Sequence, residues 1–194
     1  MSRLVILFFG LMSGSLAYAG PPALSAHDRG ALSKGEVLVR AREPPNGEGI
    51  AFEALGIIRV PPATLWPTLQ ACDRFQEFMP RTKKSVMRRR SGNTAVCFTE
   101  IAMPFPFDNL WSEVAVTETA PGDGTFSRTW TLIKGTYERN RGSWLLYPWR
   151  GGKETLLVYR MAVNPKISVP DFLIRKGQTG ALPDMYEAIN QRVR

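Results

Sequence analysis

Side chains able to do covalent or proton-transfer chemistry are sparse in this 194-residue chain. There is one histidine, His27, and there are two cysteines, Cys72 and Cys97. A lone imidazole weakens every mechanism built on a triad, a zinc centre or a histidine proton shuttle. Two cysteines are too few for a metal site. What remains for acid–base work is Arg128, Tyr159, Glu100 and Glu113, each inside a segment that reads as a strand. Arg128 stands between Phe126 and Trp130 on one strand face, where a charge must be paired or reach water. It is a candidate for binding a ligand carboxylate or phosphate, and equally for pairing with Glu100 or Glu113. Tyr159 offers a hydroxyl donor from an otherwise apolar wall. No metal and no cofactor are expected, and binding is expected ahead of catalysis.

The N-terminus carries the clearest address. Met1 to Ala19 has a positive start at Arg3, an apolar run from Leu4 to Met12 and an Ala17-Tyr18-Ala19 end. This is the pattern of a secretory signal peptide cleaved near Ala19. The apolar run falls short of the roughly 20 residues that a membrane span requires. With 25 Lys+Arg against 17 Asp+Glu the chain carries +8, and loss of Arg3 leaves +7. A soluble, basic protein in the periplasm or outside the cell is expected. There the membrane surface, and not nucleic acid, is the polyanion to consider. Arg81, Lys83, Lys84, Arg88, Arg89 and Arg90 cluster within ten residues. Each basic residue near anionic headgroups adds about 1 kcal/mol; alternatively, the cluster protects an edge strand from aggregation. In an exported protein two cysteines either pair or stay free. Because the sequence gives no distance between Cys72 and Cys97, two buried free thiols are the expectation.

These residues must be positioned by a fold rich in turns. The composition, 44% apolar with 17 Gly and 15 Pro, excludes disorder, a coiled coil and a multi-span membrane protein. At this length a single domain is expected, hiding about two thirds of its extended surface. Beyond a leader with a short helix (20–35), the domain runs from residue 36 to 194. Ala26–Lys34 reads as a short helix, Glu36–Arg42 and Ile50–Val60 as a strand pair, and Ala63–Ala71 as a helix behind Pro61-Pro62. Asp73 is a candidate cap for a second short helix ending at Met79. Six strands follow, Thr82–Arg90, Thr94–Met103, Asn109–Thr119, Phe126–Lys134, Thr136–Tyr147 and Lys153–Val163, joined by links so short that only antiparallel neighbours fit. Asp171–Val193 has helical spacing, with Pro183 predicting a kink or a break.

Two stretches are more specific. Val60-Pro-Pro-Ala-Thr-Leu-Trp66, followed by Cys72-Asp-Arg-Phe-Gln-Glu-Phe-Met-Pro80, resembles the helix pair of START-like proteins. The run Thr155-Leu-Leu-Val-Tyr159, then Asn164-Pro165 and Val169-Pro170-Asp-Phe-Leu173, resembles the last strand and C-terminal helix of bacterial START and polyketide-cyclase-like members. The resemblance spans roughly residues 36 to 194. It implies an α+β helix-grip (Bet v 1-like) fold, a curved antiparallel sheet wrapped around a long C-terminal helix. Where lipid-transfer members often carry a paired Arg-Asp, this chain has Phe107-Asp108-Asn-Leu-Trp111.

The resemblance further implies an internal apolar cavity holding a lipid, sterol or other hydrophobe. Alternation places Arg128, Trp130, Trp144, Leu146, Leu157, Tyr159 and Met161 on its sheet wall, closed by Phe172, Leu173, Met185 and Ile189 from the helix. The short loop with Phe105 and Phe107, together with Trp111, is the candidate entrance or membrane contact. Two other readings stay open: a cyclase or aromatase using the same cavity, and an interaction module with a solid core.

Overall fold

Alternation along the chain becomes eight strands in one antiparallel sheet. The computed structural model describes residues 20–167 and 180–194. The strands are β1 (Leu38–Arg42), β2 (Ile50–Ile58), β3 (Thr82–Ser91), β4 (Thr94–Ile101), β5 (Leu110–Thr119), β6 (Phe126–Gly135), β7 (Tyr137–Trp149) and β8 (Glu154–Pro165). Their order is β1-β2-β8-β7-β6-β5-β4-β3, an open sheet with β1 and β3 at its edges. Extra residues break the register within β3, between Glu113 and Val114 of β5, and near the start of β7. Such bulges sharpen the local twist and help the sheet curl. The basic run of β3 therefore lies on an exposed edge, where cations discourage strand addition.

Among the described residues three helices pack on this sheet: α1 (Ala26–Ser33), α2 (Pro62–Gln70) and α3 (Leu182–Arg192). Ser25 caps α1, and Asp28 returns the bond to the Ser25 amide. Leu32 of α1 packs on the convex face over Leu55, Leu145, Tyr147, Leu156 and Val158. That explains why Thr155–Tyr159 reads as a near-continuous apolar run: β8 is buried on both faces. On the concave side, α2 and α3 cover Ala54, Ile58, Leu146 and Leu157. Gly56 is what lets α3 approach β2, since a Cβ there would collide with the Tyr186 ring. The Tyr186 hydroxyl lies 2.8 Å from the Ala54 carbonyl and 3.0 Å from that of Leu157, and Asn190 bonds the backbone at Ile57 and Arg59.

Several local expectations need correction. The segment after α2 is a 3-10 turn over Cys72–Glu77, and no side chain caps it, so Asp73 is not a cap. Pro183 lies in the first turn of α3, where its missing amide costs nothing, and the stretch before residue 180 that the expected kink or break also concerns lies outside the described residues. Cys72 and Cys97 are not free thiols but a disulfide. The turn after α2 folds Cys72 back onto the inward face of β4, bringing the two Cα atoms within 6.3 Å, inside bonding range. The signal-peptide reading of Met1–Ala19 and the candidates Phe172 and Leu173 lie outside the described residues.

Candidate functional site

The concave face divides into a filled end and an aromatic end. At the filled end Leu65, Trp66 and Leu69 of α2 and Met185, Tyr186 and Ile189 of α3 close on Ile58, Leu146 and Leu157, all buried. Four of the expected cavity residues, Leu146, Leu157, Met185 and Ile189, are thus core packing. At the other end Phe52, Trp130, Trp144 and Tyr159 form a contiguous aromatic surface. Trp144 stacks on Tyr159 at 4.2 Å between ring centroids, Trp130 on Tyr159 at 5.9 Å, and Phe52 tilts against Tyr159 at 5.8 Å. Trp144 is buried, whereas Phe52, Trp130, Tyr159 and the neighbouring Met161 and Leu132 keep part of their surface exposed.

Backbone register explains this grouping. Gly142 faces Met161 across β7 and β8, and Trp144 faces Tyr159. A side chain at Gly142 would strike the Trp130 ring, so the glycine is the seat of that indole. Trp130 Nε1 donates to Asn140 Oδ1 at 3.0 Å, and Asn140 Nδ2 donates to Ser112 Oγ at 3.0 Å, fixing the ring in place.

Two phenols bring polarity to this wall. The Tyr159 hydroxyl donates to the Met161 thioether at 2.9 Å, a weak acceptor. The Tyr137 hydroxyl has no hydrogen-bond partner among the described residues, and it lies beside Leu110, Leu132, Met161 and Val163. Burial pushes Tyr137 up to about 12 and raises Tyr159 further, with Tyr137 adding to the latter. Both therefore hold their protons at neutral pH and act as donors. Sequence alternation could not find Tyr137. The bulge after it shifts the parity of β7, placing it on the same face as Asn140, Gly142 and Trp144.

Arg128 is inward-facing as expected, but its donors serve the fold. It donates to the Leu69 carbonyl at the end of α2 and to Cys97 Sγ at 3.1 Å, and it lies 3.8 Å from Glu118. Its carboxylate neighbour is thus Glu118, and neither Glu100 nor Glu113. Burial pulls the guanidinium down to about 10, with Glu118 opposing, so it remains charged at neutral pH. Arg90 grips Glu118 with two bonds of 2.8 and 2.9 Å and the Gln70 carbonyl at 3.1 Å. The two arginines neutralise the carbonyl end of α2. Glu100 and Glu113 face the convex side, engaged by Asn109, Lys83, Arg88 and Lys134.

The entrance candidates separate. Phe105 projects into solvent, 97% exposed, while Phe107 is half-buried. Trp111 belongs to the convex face, stacked on Phe98 at 5.9 Å under the cation of Arg88. Ile133 and Ile167, at 49% and 38%, complete the exposed large apolar side chains among the described residues. Both share one rim with Phe105. Ile133 is the extra residue of a bulge between β5 and β6, and the Lys166 amide bonds Thr136 at the β6–β7 turn. Arg81 pairs with Ala102 at the base of the Phe105 loop, so the β3 cations begin at this rim too.

Among the described residues no cluster of His, Cys, Asp or Glu could hold a metal, and no helix is long and apolar enough to cross a membrane.

Comparison with known proteins agrees with this architecture. No curated protein matches the sequence. Among solved structures, a STAR-related lipid transfer protein fragment from Xanthomonas axonopodis superposes with a TM-score of 0.69 at 19% identity, covering 81% of this chain and 93% of the other. Human StAR-related lipid transfer protein 5 gives 0.67 at 14% identity, covering 82% of each chain. The Zhui aromatase/cyclase from Streptomyces sp. R1128 gives 0.57 at 11% identity, covering 80% and 94%. These likenesses establish the helix-grip fold. The sequence profile of the polyketide cyclase/dehydrase and lipid transport family matches residues 58–190, from the end of β2 through most of α3, and the chain belongs to that family.

Proposed function

We propose that this protein binds a lipid, sterol or comparable hydrophobe against the aromatic end of its concave face and shuttles it outside the cytoplasm. One observation carries the reading: Phe52, Trp130, Tyr159 and Met161 form a contiguous, incompletely buried apolar surface, with the Tyr137 and Tyr159 hydroxyls as its polar groups. Sites for small hydrophobes are mostly apolar, with a few polar groups that fix orientation. Burying a few hundred Å2 of hydrocarbon at about 25 cal/mol per Å2 supplies several kcal/mol without bond chemistry. The family description includes cyclases. Carriage is favoured over catalysis because phenols that keep their protons are suited to donating a hydrogen bond and poorly suited to acting as a base near neutral pH.

The Cys72–Cys97 disulfide supports export, because such bonds persist in oxidising compartments. The rim with Phe105, Ile133 and Ile167, set among Arg81, Lys83, Lys84 and Lys134, supports transient contact with an anionic membrane during loading. Solvent extraction of the protein purified from its native compartment, followed by mass spectrometry, tests the proposal. A bound amphiphile is expected, and added lipid should alter the fluorescence of Trp130 and Trp144. No amphiphile together with unchanged fluorescence would overturn carriage; conversion of the bound compound would assign catalysis instead.

A further inference from the structure

On the convex face, β1, β2, β8, β7 and β6 align Arg42, Ala51, Ala162, Arg141 and Thr131 in one cross-strand row. The next row reads Arg40, Glu53, Arg160, Ser143 and Thr129. Two alanines between two arginines leave a low floor walled by long side chains. Three strand spacings separate Arg42 from Arg141, roughly 14 Å between Cα atoms, so the two guanidiniums reach inward from opposite sides. Arg160 approaches from the adjoining row. The result is a groove of about 390 Å³ lined by Arg42, Arg141 and Arg160, the floor alanines, Ser143 and Thr129.

The carboxylate beneath it prepares the cations without exhausting them. Glu53 is fully buried, accepting one bond from Arg42 at 2.5 Å and one from Arg160 at 2.7 Å, with Arg40 at 3.8 Å. Burial pushes its carboxyl up, but the bonds and charges of Arg160 and Arg42 outweigh this and hold it below its ordinary value. A guanidinium has five N–H donors, so each of these arginines keeps others for the groove. Arg141 has no ion pair or hydrogen bond among the described residues, and Glu43 on the groove wall pairs with none of the three arginines. Three planar forks around a small-residue floor match an anion with several oxygens at tetrahedral angles better than a flat carboxylate.

We infer that this convex groove is a binding site for a phosphate group, held by Arg42, Arg141 and Arg160 and separate from the concave hydrophobe site.

Calorimetric titration of the folded protein with inorganic phosphate tests it. One saturable site is expected, weakened about tenfold or more by Arg141→Ala, because a charge-assisted bond is lost. Arg141→Lys should restore part of the affinity, and Glu43→Gln should increase it by removing a nearby negative charge. Lys134→Ala, on the other side of the convex face, should leave it unchanged. Arg141 holds no partner among the described residues, so an unchanged melting temperature keeps Arg141→Ala interpretable. Vesicles containing phosphatidic acid identify the source. If Arg141→Ala lowers vesicle association as well as phosphate binding, the group belongs to a lipid headgroup; if only phosphate binding falls, it belongs to a soluble anion. Absence of saturable phosphate binding, or equal binding by Arg141→Ala, overturns the inference. Hydrophobe binding, read from Trp130 and Trp144, is a separate measurement and stands or falls independently.

Discussion

Tyr159 and Tyr137 are the residues on the aromatic wall with something left to give. A phenol whose acceptor is the Met161 thioether loses little when a ligand oxygen replaces that sulfur. Because burial raises both pKa values, neither hydroxyl ionises near neutral pH, and its contribution to binding should be flat across that range. Tyr159→Phe keeps the ring that stacks between Trp144 and Trp130 and removes only the donor. The expected result is a stability close to that of the parent. Affinity for a long-chain fatty acid should fall about threefold to tenfold, the worth of one hydrogen bond. Affinity for an alkane of the same length should not change, and fluorescence titration compares the two. Equal losses for both ligands would mean that the hydroxyl shapes packing and orients nothing.

Elements hold these residues in place, and the join between α2 and the sheet carries the most devices. The Leu69 and Gln70 carbonyls accept from Arg128 and Arg90, Glu118 sits between the two cations, and the disulfide ties the following turn to β4. Closing a loop of sequence separation 25 restricts the unfolded chain by about 3.5 kcal/mol in the chain-entropy account. Denaturant unfolding with and without reductant should show a loss of that order, and the Cys72→Ser/Cys97→Ser double variant should reproduce it. An unchanged midpoint would mean that the arginine clamp alone fixes α2. Of this join, the sequence made only α2 legible. Prolines and apolar spacing marked α2, and period-two alternation marked the six strands of the meander and put Trp130, Trp144, Tyr159 and Met161 on one face. Pairing of Cys72 with Cys97 depends on how far the chain folds back after α2, a distance that local pattern does not carry, and Arg128 meets Glu118 through the register of the β5–β6 hairpin, which sets them directly opposite one another. The inward placement of Tyr137 was hidden by a bulge. The burial of Glu53 needs Arg40 and Arg42 from the paired strand β1 together with Arg160 from β8, which is remote in sequence.

At the scale of the whole molecule, the sheet sorts its surfaces by direction. The concave face is filled at one end and aromatic at the other, the convex face carries α1 and the arginine groove, and one rim gathers the exposed apolar side chains. Phe105 is 97% exposed, a state that water disfavours and that nothing in the described fold requires. Ile133 and Ile167 share its rim, and the side chains of Lys83 and Lys134 there are 63% and 64% exposed. An aromatic tip among cations suits an anionic bilayer, where burying a phenylalanine side chain contributes about 1.5–3 kcal/mol and each cation about 1 kcal/mol. Phe105→Ala should therefore leave thermal stability unchanged and weaken association with phosphatidylglycerol vesicles about tenfold in a sedimentation assay. Added salt should weaken it further by screening the cations, and neutral phosphatidylcholine vesicles should bind the parent poorly. Loss of vesicle binding in Phe105→Ala, with fatty-acid affinity in solution retained, would assign the rim to docking and the concave wall to the cargo. If Phe105→Ala bound vesicles like the parent, the rim would not be the docking surface, and its exposed apolar side chains would need another occupant.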